Sequence, residues 1–224
     1  MKYTVTYDLM QSMRNTNEWF GATARAMASY PAFALSMNPM VPLVAAWGEV
    51  AERSFARMVV KPDWGIRSIV GPEGQDHLVD VKTVVERPFG NLVHFSVRRR
   101  QPMARKVMLV APMSGHYATL LRSTVNSLLP DCDVYITDWK NARNIPVTAG
   151  RFGFEDYVDY LIRMLEHLGP GAHIVAVCQP CVQAIAATAV MAAQKHPCEP
   201  RSLTLMAGPI DCRINPTTVN DLAA

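Results

Sequence analysis

An α/β fold, with a mostly parallel sheet behind an N-terminal helical appendage, is predicted by three features of the chain. Residues 1–60 carry helical periodicity broken by prolines, the pattern changes to that of strands at Val79, and strand-like and helix-like segments alternate from Lys106 onward. We place the appendage at residues 1–75 and the core at 76–224.

In the appendage, Met10, Met13, Phe20, Ala24 and Met27 fall on one helical stripe and Val44, Trp47, Ala51, Phe55 and Met58 on another. The segment between them contains Pro31, Pro39 and Pro42, which forbid a continuous helix and make it an apolar elbow. Such an elbow either straps onto the core or, if exposed, touches an insoluble partner.

The core opens with Val79 to Val85 and Leu92 to Val97 as two antiparallel strands, joined by Pro88-Phe89-Gly90-Asn91, which has hairpin-turn chemistry. The expected order is then a strand at Lys106 to Ala111, a helix at Ala118 to Leu129 and a strand at Val134 to Thr137. A helix at Phe154 to Leu168, a strand at His173 to Val177, a helix at Val182 to Lys195 and a strand at Ser202 to Met206 complete the series. The middle helix is the most clearly amphipathic, with Phe154, Tyr157, Val158, Leu161, Ile162, Leu165 and Leu168 apolar. Alternation of this kind gathers binding sites at the C-terminal ends of the strands.

At 224 residues, half of them hydrophobic, the chain can bury a sizeable core. Its net charge of +3 is mild, and the basic run Arg98-Arg99-Arg100 with Arg105 and Lys106 reads as a solvated turn rather than a nucleic-acid surface. Five cysteines without regular spacing, and an N-terminus without an apolar leader, argue for a reducing, cytoplasmic setting, though not necessarily for free diffusion. The longest apolar stretch, Ala184 to Ala193, is shorter than the roughly 20 residues that span a bilayer. Cys132, Cys198 and Cys212 lack metal-ligand spacing, so a zinc site is not expected, and we expect no other metal and no cofactor.

Val175-Ala176-Val177-Cys178-Gln179-Pro180 is the segment with chemistry in it. A short apolar strand delivers one cysteine onto a tight turn ahead of an alanine-rich helix, at the sheet edge where the helix N-terminus directs positive charge. An α/β-hydrolase carries its nucleophile after the fifth strand, and counting the hairpin as the first two makes His173 to Val177 the fifth. The usual flanking glycines are replaced by Ala176 and Pro180; proline is acceptable in a first helical turn. The competing expectation for Cys178 is a small buried core residue. In this fold the oxyanion donors are the amide after the nucleophile, Gln179, and one from the loop after the third strand, Met113 or Ser114. Gly115 would let backbone approach a ligand, and His116 and Tyr117 are candidate pocket residues, His116 fitting a packing role at a helix entry equally well. Cys178-Gln179-Pro180-Cys181 also has the form of a thioredoxin-like redox motif, against which stand the many elements preceding it and the aliphatic neighbour Val177.

Taken together, Lys61 to Ile66, Val110 to Arg122, Ile136 to Arg143, Val175 to Pro180 and Leu205 to Thr217 resemble the N-terminal part of the intracellular poly(3-hydroxybutyrate) depolymerases, a cysteine-nucleophile α/β-hydrolase family. The resemblance implies that Cys178 attacks the ester carbonyl of a 3-hydroxybutyrate polyester, releasing oligomers or monomer, and that polymer or granule surface is the partner. Members of that family continue for a long C-terminal region, so the sequence reads as truncated after its sixth strand, and a separate C-terminal polypeptide is a candidate partner. Asp211 lies where some hydrolases carry an acid, but the one histidine after Cys178, His196, sits at the far end of a helix about 20 Å long. Poor hydrolysis by this chain alone is therefore expected. Cys181 stands where the family has a small uncharged residue, either as a benign change or as a disulfide partner that silences Cys178. The rivals are a noncatalytic granule-surface protein and a polyester synthase, which also uses a cysteine on this fold.

Overall fold

A computed structural model describes residues 2–34, 38–59, 61–71, 74–98, 105–113, 117–214 and 218. The chain forms two compact units, Met1–Asp63 and Trp64–Ala224.

The first unit is an antiparallel helix pair, α1 (Lys2–Ala28) and α3 (Met40–Val59), with the short helix α2 (Pro31–Ala34) between them. The pair closes on glycine rather than on the apolar stripes. A Cβ on Gly21 would lie 2.7 Å from the Glu52 amide nitrogen and 2.8 Å from the Gly48 carbonyl oxygen, so the two backbones touch. Arg25 bridges the seam to Glu52 at 2.9 Å. The described side chains of the expected stripes are consequently left mostly outward, with Met13 at 59%, Phe20 at 53% and Trp47 at 61% exposure, while Ala51 is buried. The glycine seam carries no hydrophobic periodicity, and sequence patterning could not register it.

The second unit is a seven-stranded sheet: β1 (Ser68–Val70), β2 (Asp76–Val85), β3 (Gly90–Val97), β4 (Lys106–Val110), β5 (Asp133–Trp139), β6 (His173–Val177) and β7 (Ser202–Met206). The spatial order is β1-β2-β3-β5-β4-β6-β7. The first three pairings are antiparallel, and those of β5 with β4, β4 with β6 and β6 with β7 are parallel. Helices α4 (Arg122–Leu128), α5 (Phe154–Leu168) and α6 (Cys181–Ala193) make the crossovers. One core joins α5 and α6 to the sheet through Tyr157, Leu161, Leu165, Ala184, Ala187 and Met191; the other joins α4 to the opposite face through Val125, Leu129, Ile136, Phe95 and Trp64. This is an α/β-hydrolase-like architecture, as the alternation of patterns predicted.

Three of the differences from the sequence expectation bear on the elements around Cys178. Ser68-Ile69-Val70 adds an edge strand too short to show a period of two, so the strand before Cys178 is the sixth in the chain and not the fifth. The expected helix from Ala118 begins as a 3₁₀ turn, Ala118–Leu121, before α4. The helix expected from Val182 to Lys195 runs from Cys181 to Ala193, and Lys195 beyond it adopts φ 51° as the chain leaves the helix.

The winding reverses at β4. From β4 the chain moves to β5 on one side, then crosses back over to β6 on the other, so the loops leaving β4 and β6 start at the point where the strand order reverses, the place where sites form in open α/β sheets. The exit from β4 is held on both sides: the Ala111 amide donates to Thr137 Oγ1 at 2.9 Å, and Trp139 Nε1 donates to the Ala111 carbonyl at 2.9 Å. Trp139 fits because Gly90 faces it, since a Cβ there would lie 2.5 Å from the indole Cε3. Gly90→Ala is expected to displace the indole and cost about 1–3 kcal/mol of stability, as overpacking does. Urea unfolding checks this, and an unchanged midpoint would show that Trp139 has room to move.

Candidate active site

β6 ends at Val177, and the chain turns at once into α6. At the turn Cys178 adopts φ 67°, the left-handed region that a residue with a Cβ enters at a cost of roughly 1–2 kcal/mol. Three interactions hold it there. The Cys178 amide donates to the Met206 carbonyl of β7 at 2.8 Å, the Cys181 amide donates back to the Cys178 carbonyl at 3.2 Å, and the Cys181 thiol points inward to the Ala176 carbonyl at 3.4 Å. Cys178 is exposed whereas Cys181 is buried, and burial pushes the Cys181 thiol above its ordinary pKa. The turn therefore separates two cysteines three positions apart into one presented outward and one packed in the core.

Gly208 makes that packing possible. A Cβ at this position would overlap the Cβ and Sγ of Cys181, so the chain leaving β7 lies directly on the first turn of α6. The preceding residue, Ala207, has φ 52°, a second positive φ on a residue bearing a Cβ within the same small region.

Two backbone donors flank the turn. Among the described residues nothing accepts a hydrogen bond from the Gln179 amide, which follows Cys178 immediately. The Met113 amide, three residues beyond the end of β4, donates to the side-chain oxygen Oε1 of Gln179 at 3.2 Å. The loop after β4 and the turn after β6 are thus brought together at the reversal point of the sheet. Pro180 precedes the helix, where its lack of an N–H costs no helical bond.

The remaining expected residues are placed as follows. Tyr117 is half-buried at the entry to the 3₁₀ turn. Ser114, Gly115 and His116 lie outside the described residues. Asp211, in the segment after β7, is held by a two-pronged pair from Arg213, Nε to Oδ1 and Nη2 to Oδ2, both at 2.8 Å. Those bonds keep its carboxyl below the ordinary range. His196 bonds Glu166 at 3.2 Å, and His94 bonds Asp133 at 2.6 Å near the start of β5, so neither is engaged with Cys178. Thr137, Trp139, Met206 and Gly208 position the site without having been singled out from sequence; all four fell inside segments quoted for the family resemblance, but nothing in sequence assigned them a contact.

No family model matches the chain, and no curated protein matches it. Solved structures do overlap it: the naproxen esterase of Bacillus subtilis (15% identity, TM-score 0.40, 60% of this chain and 43% of that one), a fungal esterase from Rhizomucor miehei (13%, 0.45, 89% and 61%) and a hyperthermophilic esterase from the archaeon Pyrobaculum calidifontis (13%, 0.44, 86% and 60%). The chain spans between about two fifths and three fifths of the length of these structures. At identities and scores this low, neither a family nor a substrate follows from the overlap; the fold assignment stands on the strand order and the turn after β6.

Strain at the turn has a direct test. Cys178→Gly relieves the left-handed backbone and Cys178→Ala does not, while both remove the thiol. The glycine variant is expected to be the more stable by about 1 kcal/mol in urea unfolding, and an alanine variant of equal or greater stability would contradict the strained turn.

Proposed function

We propose that this chain performs acyl transfer from an ester to Cys178, and that its substrates are polyesters of the 3-hydroxybutyrate type. The observation that carries the proposal is the exposed Cys178 at φ 67° beside the amide of Gln179, which has no acceptor among the described residues. A sulfur nucleophile needs access to the carbonyl carbon, and the carbonyl oxygen needs donors where its charge develops. In this reading the sulfur adds to the ester carbonyl and the oxygen is received by the amides of Gln179 and Met113, with Ser114 the other candidate donor. Collapse of the tetrahedral species expels the alcohol end of the ester and leaves a thioester on Cys178, which water then cleaves. Acylation is the half-reaction that these residues account for. The polyester is suggested by the sequence resemblance.

The acyl half-reaction is tested with p-nitrophenyl butyrate. A burst of nitrophenolate approaching one per chain, with butyrylation found by mass spectrometry on the peptide containing Cys178, is expected, and Cys178→Ala should abolish both. A burst that survives Cys178→Ala would remove the proposed nucleophile. The substrate is tested separately by release of 3-hydroxybutyrate from amorphous granules, where Cys178→Ala should reduce any rate by on the order of 100-fold or more.

A second reading, adsorption to a granule surface, is favoured by one observation in the first unit. Met13, Phe20, Met27, Leu43 and Trp47 all exceed half exposure on a helix pair whose own seam is built from glycine. Exposed apolar side chains in such number suit an insoluble partner. Sedimentation with amorphous polyester granules should fall severalfold when Met13, Phe20 and Trp47 are replaced together by glutamine, with the Cys178 burst unchanged; equal sedimentation would rule out this face as the contact.

A further inference from the structure

We infer that the side chain of Gln179 occupies the acceptor position of the oxyanion site in the resting protein, so that an ester gains the Met113 amide only by displacing it. The inference rests on the proposed acyl transfer and goes beyond it, because that proposal uses only the backbone of Gln179.

The geometry points to this role in three steps. The donor at Met113 is a backbone amide, so the atom facing it at 3.2 Å must be an acceptor, and within the Gln179 carboxamide that is the carbonyl oxygen. An amide carbonyl oxygen is close in charge and size to an ester carbonyl oxygen, so a group that satisfies the Met113 amide in the absence of substrate is also a competitor for it. The bond is formed by the residue directly after Cys178, and its own amide is left without an acceptor among the described residues. One residue thus presents an open donor through its backbone while its side chain fills the other donor. A partly buried amide left without any acceptor would carry a desolvation penalty, and the carboxamide removes it until substrate arrives.

The strand exits explain why the arrangement holds. Ala111 is fixed by Thr137 and Trp139, and Cys178 is fixed by Met206, so Met113 and Gln179 are each tethered two or fewer residues from a rigid point. The mobile part is the Gln179 side chain, which can rotate away while both amides stay in place.

The test compares two reactions of the same sulfur. Acylation by p-nitrophenyl butyrate develops an oxyanion, whereas alkylation by iodoacetamide displaces iodide at carbon and does not use the donors. The ratio of the two rate constants, both followed on the Cys178 peptide, cancels changes in thiol ionisation and access. Gln179→Met keeps the length of the side chain and removes the acceptor, and it should raise the ratio roughly fivefold, the worth of one neutral hydrogen bond in the barrier. Gln179→Glu supplies a stronger acceptor and should lower the ratio by a similar factor. A ratio unchanged or lowered in Gln179→Met, with wild type acylated at Cys178, would overturn the inference and leave the nucleophile standing. Wild type that is alkylated but never acylated at Cys178 would sink the acyl-transfer proposal itself, and this inference with it.

Discussion

The hydrogen bond from the Cys178 amide to the Met206 carbonyl is the contact on which the rest of the site depends. It joins the end of β6 to the end of β7 at the point where the backbone enters the left-handed region. Without it, a residue with a Cβ would relax toward ordinary dihedrals, turn its side chain into the core as Cys181 does, and leave nothing presented at the sheet edge. The helix that follows contributes its N-terminus only because the turn is this tight.

Fold and site are coupled through small residues. Gly208 lets the exit of β7 rest on Cys181, and Gly90 leaves space for the indole of Trp139, which holds Ala111 and through it the loop carrying Met113. Both glycines lie well away in sequence from the cysteine they help to place. The same device recurs in the first unit, where Gly21 and Gly48 bring two helices into backbone contact and leave the large apolar side chains outside. Absence of a side chain, and not hydrophobic attraction alone, decides which surfaces of this protein are closed.

Much of the architecture was legible in the sequence because it follows from periodicity. Phe154–Leu168, His173–Val177 and Ser202–Met206 coincide with the segments read from apolar spacing, each being long enough or uniform enough to display its period. The three-residue strand at Ser68 was not legible, nor was the glycine seam of the helix pair, since neither has a pattern to display. At the site, the strand-turn-helix around Cys178 could be read directly. The fixing of Ala111 by Thr137 and Trp139 could not, because it joins residues 26 and 28 positions apart through a parallel pairing that sequence alone does not locate. The bond between the Gln179 side chain and Met113, 66 positions apart, was hidden for the same reason.

In the proposed reaction the turn presents sulfur and two amides to one carbonyl group. A crystal structure of the protein after Cys178 has reacted with a butyryl trifluoromethyl ketone would test it most directly. The account predicts a tetrahedral adduct on the sulfur whose oxygen lies about 3 Å from the amide nitrogens of both Gln179 and Met113, with the Gln179 carboxamide moved aside. An adduct whose oxygen points to solvent, with Gln179 still bonded to Met113, would contradict it.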